Sequence, residues 1–306
     1  MASLKGQNLR IYIWNSTAER FQAVGMATNC TVTLTNNTDD ASHKDIVSAA
    51  AMPTVTSKSW QVSVDSLNVQ DTAAILSTVK AMQPMMLLWD ESTADYNNQE
   101  LVHASFSRKG MAYLSDVTFV FNNRENSTKT LQFQGTSPIS NGSNTDEMGS
   151  IPLGSYTKGQ YVRLFLGSDN TAAPSTVIAA ARTLQLHVSL TMEDATTKDT
   201  ANGDWQVQEP TALSYDITTG ALVRSGETIT SQVGAKALAD LETIYEAGTP
   251  VKWKIANVSG DNNRTASSTI ISGSVVLSQL QVNGPNRANA DYSATLNGYG
   301  DYTVAA

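Results

Sequence analysis

Lys5-Gly6-Gln7-Asn8-Leu9-Arg10-Ile11-Tyr12-Ile13, near the start of the chain, is answered by Lys158-Gly159-Gln160-Tyr161-Val162-Arg163-Leu164-Phe165-Leu166 near its middle. Further matches follow in the same order. Asp39-Asp40-Ala41-Ser42-His43-Lys44-Asp45 returns as Glu193-Asp194-Ala195-Thr196-Thr197-Lys198-Asp199, and Leu131-Gln132-Phe133-Gln134-Gly135 returns as Ala294-Thr295-Leu296-Asn297-Gly298. Between them, Trp60-Gln61-Val62-Ser63-Val64-Asp65 aligns with Thr211-Ala212-Leu213-Ser214-Tyr215-Asp216. A repeat defines what one structural unit is. Two copies are too few for a solenoid and make two homologous domains, each of a size that closes its own core. The reading is residues 1–136 as copy 1, 137–157 as linker and 158–306 as copy 2, the linker marked by Ser137-Pro138, Ser140-Asn141-Gly142-Ser143-Asn144 and Pro152-Leu153-Gly154.

Of 306 residues, 41% are hydrophobic and 16% charged, the balance of a globular chain. No apolar run approaches the roughly 20 residues of a membrane span, and Met1 to Gly6 lacks a secretory stretch, so the expectation is a soluble protein made in a cytoplasm. Net charge is −8, with 10 bases and 14 acids in each half, so each half carries 10 − 14 = −4. Such a protein has no basic surface with which to grip a nucleic-acid backbone, although DNA can still pass it. The single cysteine, Cys30, lies in an apolar-alternating run and reads as a buried thiol.

Polar and apolar residues alternate with the period of two-faced strands. Cys30, Val32 and Leu34 interleave with threonines; Trp60, Val62 and Val64 interleave with Gln61, Ser63 and Asp65; Val117, Phe119 and Phe121 follow, then Leu131 and Phe133. In the second half Leu184, Leu186, Val188 and Leu190 flank Gln185, His187 and Ser189, while Ala294 and Leu296 alternate with Thr295 and Asn297. Each half has one helical segment. Asp71 caps a run with Ile75, Val79 and Met82 on one face before Pro84; Leu238, Leu241, Ile244 and Tyr245 share a face before Gly248 and Pro250. An insertion at about 217–232, with Thr219-Gly220 and Ser225-Gly226 as turn signals, reads as an extra hairpin in copy 2. The fold class is all-β with one short helix per domain, as two tandem homologous sandwich-type domains.

Catalytic signals are sparse. His43, His103 and His187 are far apart with no partner at metal-ligand spacing, and His187 reads as a lining residue. The acidic stretch Asp90, Glu91, Asp95 and Glu100 lacks the ligand alternation of a calcium loop. No nucleophile, base and orienting group can be assembled, so the chain is read as non-enzymatic, without metal or cofactor.

Met26-Ala27-Thr28-Asn29-Cys30-Thr31-Val32, a polar stretch ending in Ser42-His43-Lys44-Asp45, then Ser57-Lys58-Ser59-Trp60-Gln61-Val62-Ser63-Val64-Asp65, a short helix and a terminal hairpin region follow in that order. Over about Lys5 to Gly135 this resembles the major tail tube proteins of long-tailed bacteriophages. The resemblance implies β-sandwiches whose inner sheets join around a ring into a closed β-barrel. Six domains per ring would need three copies of a duplicated chain, a homotrimer stacked into a tube in the virion tail, with tape-measure and tail-tip or terminator proteins as partners and DNA passing without specific binding. Lumen-lining candidates are then Thr31, Thr33, Gln61, Ser63, Asp65, Gln132, Gln134, Gln185, His187, Ser214, Asp216, Thr295 and Asn297, with Asp65 and Asp216 as a matched pair. Asn36 to Thr56 and Met192 to Pro210 would be ring-stacking loops through Asp39, Asp40, Lys44, Asp45, Glu193, Asp194, Lys198 and Asp199. A related injection or gene-transfer tube fits the same residues. A carbohydrate-binding β-sandwich should carry a secretion signal, which is absent here.

Overall fold

The computed structural model describes residues 6–16, 19–43, 45, 50–68, 71–91, 107–142, 157–198, 203–223, 235–260 and 264–305. The first half runs β1 (Leu9–Asn15), β2 (Arg20–Ala23), β3 (Ala27–Asp40), β4 (Pro53–Leu67), α1 (Thr72–Ala81), β5 (Met85–Glu91), β6 (Arg108–Val120), β7 (Thr128–Gly135) and β8 (Ser140–Asn141). The second half runs β9 (Val162–Leu166), β10 (Thr176–Ile178), β11 (Ala181–Asp194), β12 (Gln208–Leu222), β13 (Ala235–Lys236), α2 (Leu238–Ala247), β14 (Val251–Val258), β15 (Ala266–Asn283), β16 (Asp291–Gly298) and β17 (Thr303–Val304).

One strand in each half serves two sheets. Arg108 to Ala112 of β6 join β5 and β8, in the outer sheet β2·β1·β5·β6·β8; from Ala112 to Val120, through a bulge at Ser115, β6 joins β7, in the inner sheet β3·β4·β7·β6. β15 does the same: Ala266 to Val275 join β14 and β17, and Val275 to Asn283, through a bulge at Ser278, join β16, in the inner sheet β11·β12·β16·β15. A bulge bends its strand and raises the local twist, which lets one chain segment turn from one layer into the other.

The alternating apolar residues fill the space between the layers: Trp60, Val62, Val64, Leu114, Val117, Phe119, Leu131 and Phe133 in the first half, Leu184, Leu186, Val188, Tyr215, Ile217, Trp253, Ala294 and Leu296 in the second, all buried. Trp60 lies 5.5 Å from Trp89 between ring centroids and donates from Nε1 to the Ser137 carbonyl at 2.8 Å. Gly110 makes room for it, since a Cβ there would stand 2.6 Å from the indole. In the second half Tyr215 and Trp253, 5.7 Å apart, fill the matching space, and a Cβ on Gly298 would stand 2.6 Å from Tyr215.

Several expectations change. Val62 and Ile217 each oppose the third-from-last residue of the terminal inner strand, Phe133 and Leu296, so Tyr215 corresponds to Trp60 and Asp216 to Gln61. The pairing of Trp60 with Thr211, and of Asp65 with Asp216, is four residues out of register; Gly220 stands opposite Asp65 in that correspondence. Residues 217–222 are not a hairpin but the end of β12, paired with β11 and β16 on its two sides, and 224–234 lie outside the described residues. Residues 137–142, assigned to the linker, pack onto the first half through Ser137 and β8. Asp71 sits at the N-cap of α1 but caps no N–H with its side chain; its carboxylate instead takes the ammonium of Lys129, whose side chain is fully buried. Burial pushes the Lys129 pKa down against the opposing pull of Asp71.

Candidate functional site

The two inner sheets are one. Residues Asp116 to Val120 of β6 pair with Gln185 to Ser189 of β11, giving the continuous order β3·β4·β7·β6·β11·β12·β16·β15. One face of this sheet covers the core, and the other presents short polar groups. Gln61, Ser63 and Asp65 on β4, Gln132 and Gln134 on β7, Gln185 and His187 on β11, Ser214 and Asp216 on β12, and Thr295 and Asn297 on β16 alternate with buried positions, while Thr31 and Thr33 on β3 alternate with the half-buried Cys30 and Val32 and the exposed Leu34. Cross-strand rows tie them: Thr33, Gln61 and Gln134 stand opposite one another, with Gln61 Nε2 donating to Gln134 Oε1 at 2.6 Å, and His187, Asp216 and Asn297 form another row.

The same face also carries Asp116, Thr118, Thr130, Gln279 and Gln281, which are not among the lining candidates named from the sequence. Their signal was the phase of the neighbouring apolar residues Val117, Phe119, Leu280 and Val282.

At the joint between the halves, His187 Nδ1 lies 2.7 Å from Asp216 Oδ1 and Nε2 lies 2.7 Å from Asp116 Oδ2. An ionised carboxylate only accepts, so the arrangement is fully satisfied when both ring nitrogens donate, which is the imidazolium form. Burial disfavours that charge, but hydrogen bonds and Coulombic attraction from Asp116 and Asp216 outweigh it and hold the pKa above its usual value. Farther along the face, Asp65 accepts from Thr130 Oγ1 at 2.8 Å and from Asn29 Nδ2 at 3.4 Å.

Both ends of the eight-strand order are open. Among the described residues β3 pairs only with β4, and the second part of β15 only with β16. Their apolar side chains show the consequence. Leu34 on β3 is 63% exposed while Val188, at the corresponding place on β11, is 0%; Val282 on β15 is 52% exposed while Phe119, at the corresponding place on β6, is 0%.

The long connections Asn36 to Thr56 and Met192 to Pro210 are extended hairpin arms rather than loops. β3 and β4 stay paired out to Asp40 and Pro53, and β11 and β12 out to Asp194 and Gln208. Asp39, Asp40, Asp45, Glu193, Asp194 and Lys198 lie exposed on or near these arms, while Lys44 and Asp199 fall outside the described residues. The second arm lies beside β4: Lys58 N donates to Asp204 O at 2.7 Å, and Lys58 Nζ lies 3.2 Å from Asp204 Oδ2. Among the described residues no group of three His, Cys, Asp or Glu is placed to hold a metal, and no helix is long and apolar enough to cross a membrane. His103 and the acidic residues Asp95 and Glu100 lie outside the described residues.

Residues 160–304 match the family model of the phage tail tube protein. No curated protein sequence matches the chain. Among solved structures, it aligns with the tail of an empty gene transfer agent particle refined with C6 symmetry, at TM-score 0.36 and 14% identity over 49% of this chain and 99% of that one. The virion of a native gene transfer agent particle aligns at TM-score 0.34 and 13% identity over 49% and 99%, and the SPP1 tail tube at TM-score 0.33 and 15% identity over 46% and 75%. The family match falls on the second half, whereas the motifs quoted from the sequence lie in the first. It is residues 160–304 that are similar to the phage tail tube protein family.

Proposed function

We propose that this chain, a structural subunit of a virion tail tube, is a tandem duplication of one tube domain and closes edge to edge into a ring of three copies. The observation that carries the reading is the β6–β11 joint. It seals one pair of edges inside the chain and leaves the two corresponding edges, β15 and β3, open at opposite ends of the same sheet. An open edge with exposed apolar side chains is a template for another strand. Repeating the internal joint between copies sets the register: Val282 opposite Val32, Gln281 opposite Thr33 and Leu280 opposite Leu34.

Three internal and three external joints then alternate around a pseudo-sixfold ring. Closure leaves no edge, and the polar face becomes the wall of a channel. That wall carries neutral amides and hydroxyls, Asp65, and an imidazolium already held by two carboxylates, so it offers DNA phosphates no free cation. The arms stack successive rings, tape-measure and terminator proteins set the tube's length and ends, and no catalytic step is assigned.

Negative-stain microscopy and native mass spectrometry of the purified protein test this. Hollow rings or tubes built of three-chain layers are expected. A protein that stays monomeric at high concentration, or layers of six chains, overturns it.

A further inference from the structure

The ring just proposed sets a pairing problem that the polar face can solve. Each copy offers two acceptor edges, β6 and β15, and two strands to fill them, β11 and β3. The apolar faces distinguish the four combinations by size alone. Val117 and Phe119 meet Val188 and Leu186 inside the chain, and Leu280 and Val282 would meet Leu34 and Val32 between copies. These faces differ only in size, most at Phe119 against Val282, and size alone discriminates less sharply than charge.

The polar face is different. Both acceptor strands are aligned by their bulges, so Asp116, which opposes Gln132 after the bulge at Ser115, corresponds to Gln279, which opposes Thr295 after the bulge at Ser278. His187 corresponds to Thr33 and Asp216 to Gln61, each standing opposite the other in its own pair. One joint therefore carries carboxylate, imidazolium and carboxylate at 2.7 Å on each side, and the other carries amide, hydroxyl and amide.

We propose that the Asp116–His187–Asp216 cluster is a matching device that reserves the β6 edge for β11 of the same chain, while the neutral Gln279, Thr33 and Gln61 set reserves the β15 edge for β3 of a second copy. The proposal rests on the ring reading. Its physics is that of specificity by mismatch. If β3 of another copy docks on β6, the Asp116 carboxylate faces Thr33, loses its cationic partner and is still taken partly out of water. If β11 docks on β15, the imidazolium of His187 faces Gln279 and keeps one carboxylate instead of two. Charge-assisted hydrogen bonds are the strong ones, so each wrong joint gives up more than the neutral joint can return. A chain of two similar domains without such a device can exchange domains between copies and grow into open chains.

The charged groups around the cluster are few. On the polar face the neighbouring strands present Gln132 and Thr130 from β7 and Asn297 and Thr295 from β16. Lys80 and Asp301, ion-paired with each other at 2.8 Å, line the cavity that Asp216 borders.

The test compares the wild type with a variant carrying Asp116→Gln, His187→Thr and Asp216→Gln, which gives both joints the neutral set. Circular dichroism establishes folding, and native mass spectrometry with negative-stain microscopy counts copies per ring. The wild type is expected as trimers and their stacks. The variant is expected to assemble with a several-fold larger share of dimers, tetramers and open chains. If the variant does not fold, the isosteric Asp116→Asn alone gives the same readout with a smaller spread. Uniform trimers from the substituted protein overturn the pairing rule and leave the ring standing. A wild type that never forms rings overturns the ring reading itself, and the pairing rule with it.

Discussion

The hydroxyl of Tyr302 donates to the carbonyl of Leu76 at 2.8 Å, joining the C-terminal end of the chain to the helix of the first half. Tyr302 is fully buried, stands edge-on to Tyr215 with centroids 5.5 Å apart, and has Lys80 Nζ 5.4 Å from its ring centre. The two halves are therefore clasped on the core side of the sheet as well as zipped along β6 and β11. Replacing Tyr302 by Phe removes one hydrogen bond and should cost about 1 kcal/mol, whereas Tyr302→Ala opens a large cavity and should cost about 3–5 kcal/mol. Chemical denaturation followed by far-ultraviolet circular dichroism measures both, and equal losses would show that the ring contributes nothing beyond its hydroxyl.

Trp60 should behave as the anchor of the first half alone. Trp60→Ala is expected to lose about 3–5 kcal/mol, and Gly110→Ala to destabilise by driving a methyl into the indole. Trp60→Tyr, which copies the residue found at the corresponding place in the second half, should recover much of the loss. Thermal melts of the three variants check the order.

The outer edges should matter to assembly and not to folding. Leu34→Asp or Val282→Asp alters a side chain already more than half exposed, so the stability of the monomer should change by less than about 0.5 kcal/mol. Between copies, the same aspartate would be buried against an aliphatic partner, and rings should disappear. Sedimentation velocity of a folded variant decides it, and normal rings would place the joint elsewhere.

His187 sets a pH dependence of defined sign. Its folded pKa lies above the unfolded value of about 6.5, so the cluster's contribution is complete below that pH and is lost as pH rises through the raised folded value. Melting temperature should fall over that window on the alkaline side of 6.5, and His187→Gln should flatten the fall. A wild-type profile that instead climbs there contradicts the assigned charge.

Shortening the first arm between Asp39 and Thr54 should leave the melting temperature nearly unchanged, because the described residues of that span are exposed and carry no core. Rings should still form, and tubes should be short or absent by electron microscopy. Tubes of normal length would remove the stacking role from this arm.

The faces of the strands were legible in the sequence because a half-buried sheet forces period-two alternation, and all the polar positions singled out lie on the exposed face. The register between the two halves was not equally legible. Aligning Trp60 with Thr211 instead of Tyr215 is a slip of four, an even number, and an even slip keeps every side chain on its own face. Only the hydrogen-bonded partner across the sheet, Leu296 opposite Ile217, fixes the true correspondence. Gly220 read as a turn because glycine usually punctuates strands; here it lies inside β12, where a Cβ would stand 2.7 Å from Thr183 Oγ1. Asp116 went unnoticed because its partner His187 is 71 residues away and on another strand.

The short joint between β6 and β11, only five residue pairs long, bears on how a population of free subunits behaves. A joint of that length between two separate copies must offset the full loss of translational and rotational freedom, and a pair of copies holds only one. In the proposed ring a third copy would add two joints, the last of them intramolecular and formed at high effective concentration. Intermediate dimers should therefore be scarce at every concentration. Monomers would persist up to a sharp threshold, above which complete rings appear at once, and a preformed ring that presents its arms would lower that threshold locally, confining growth to the ends of an existing tube.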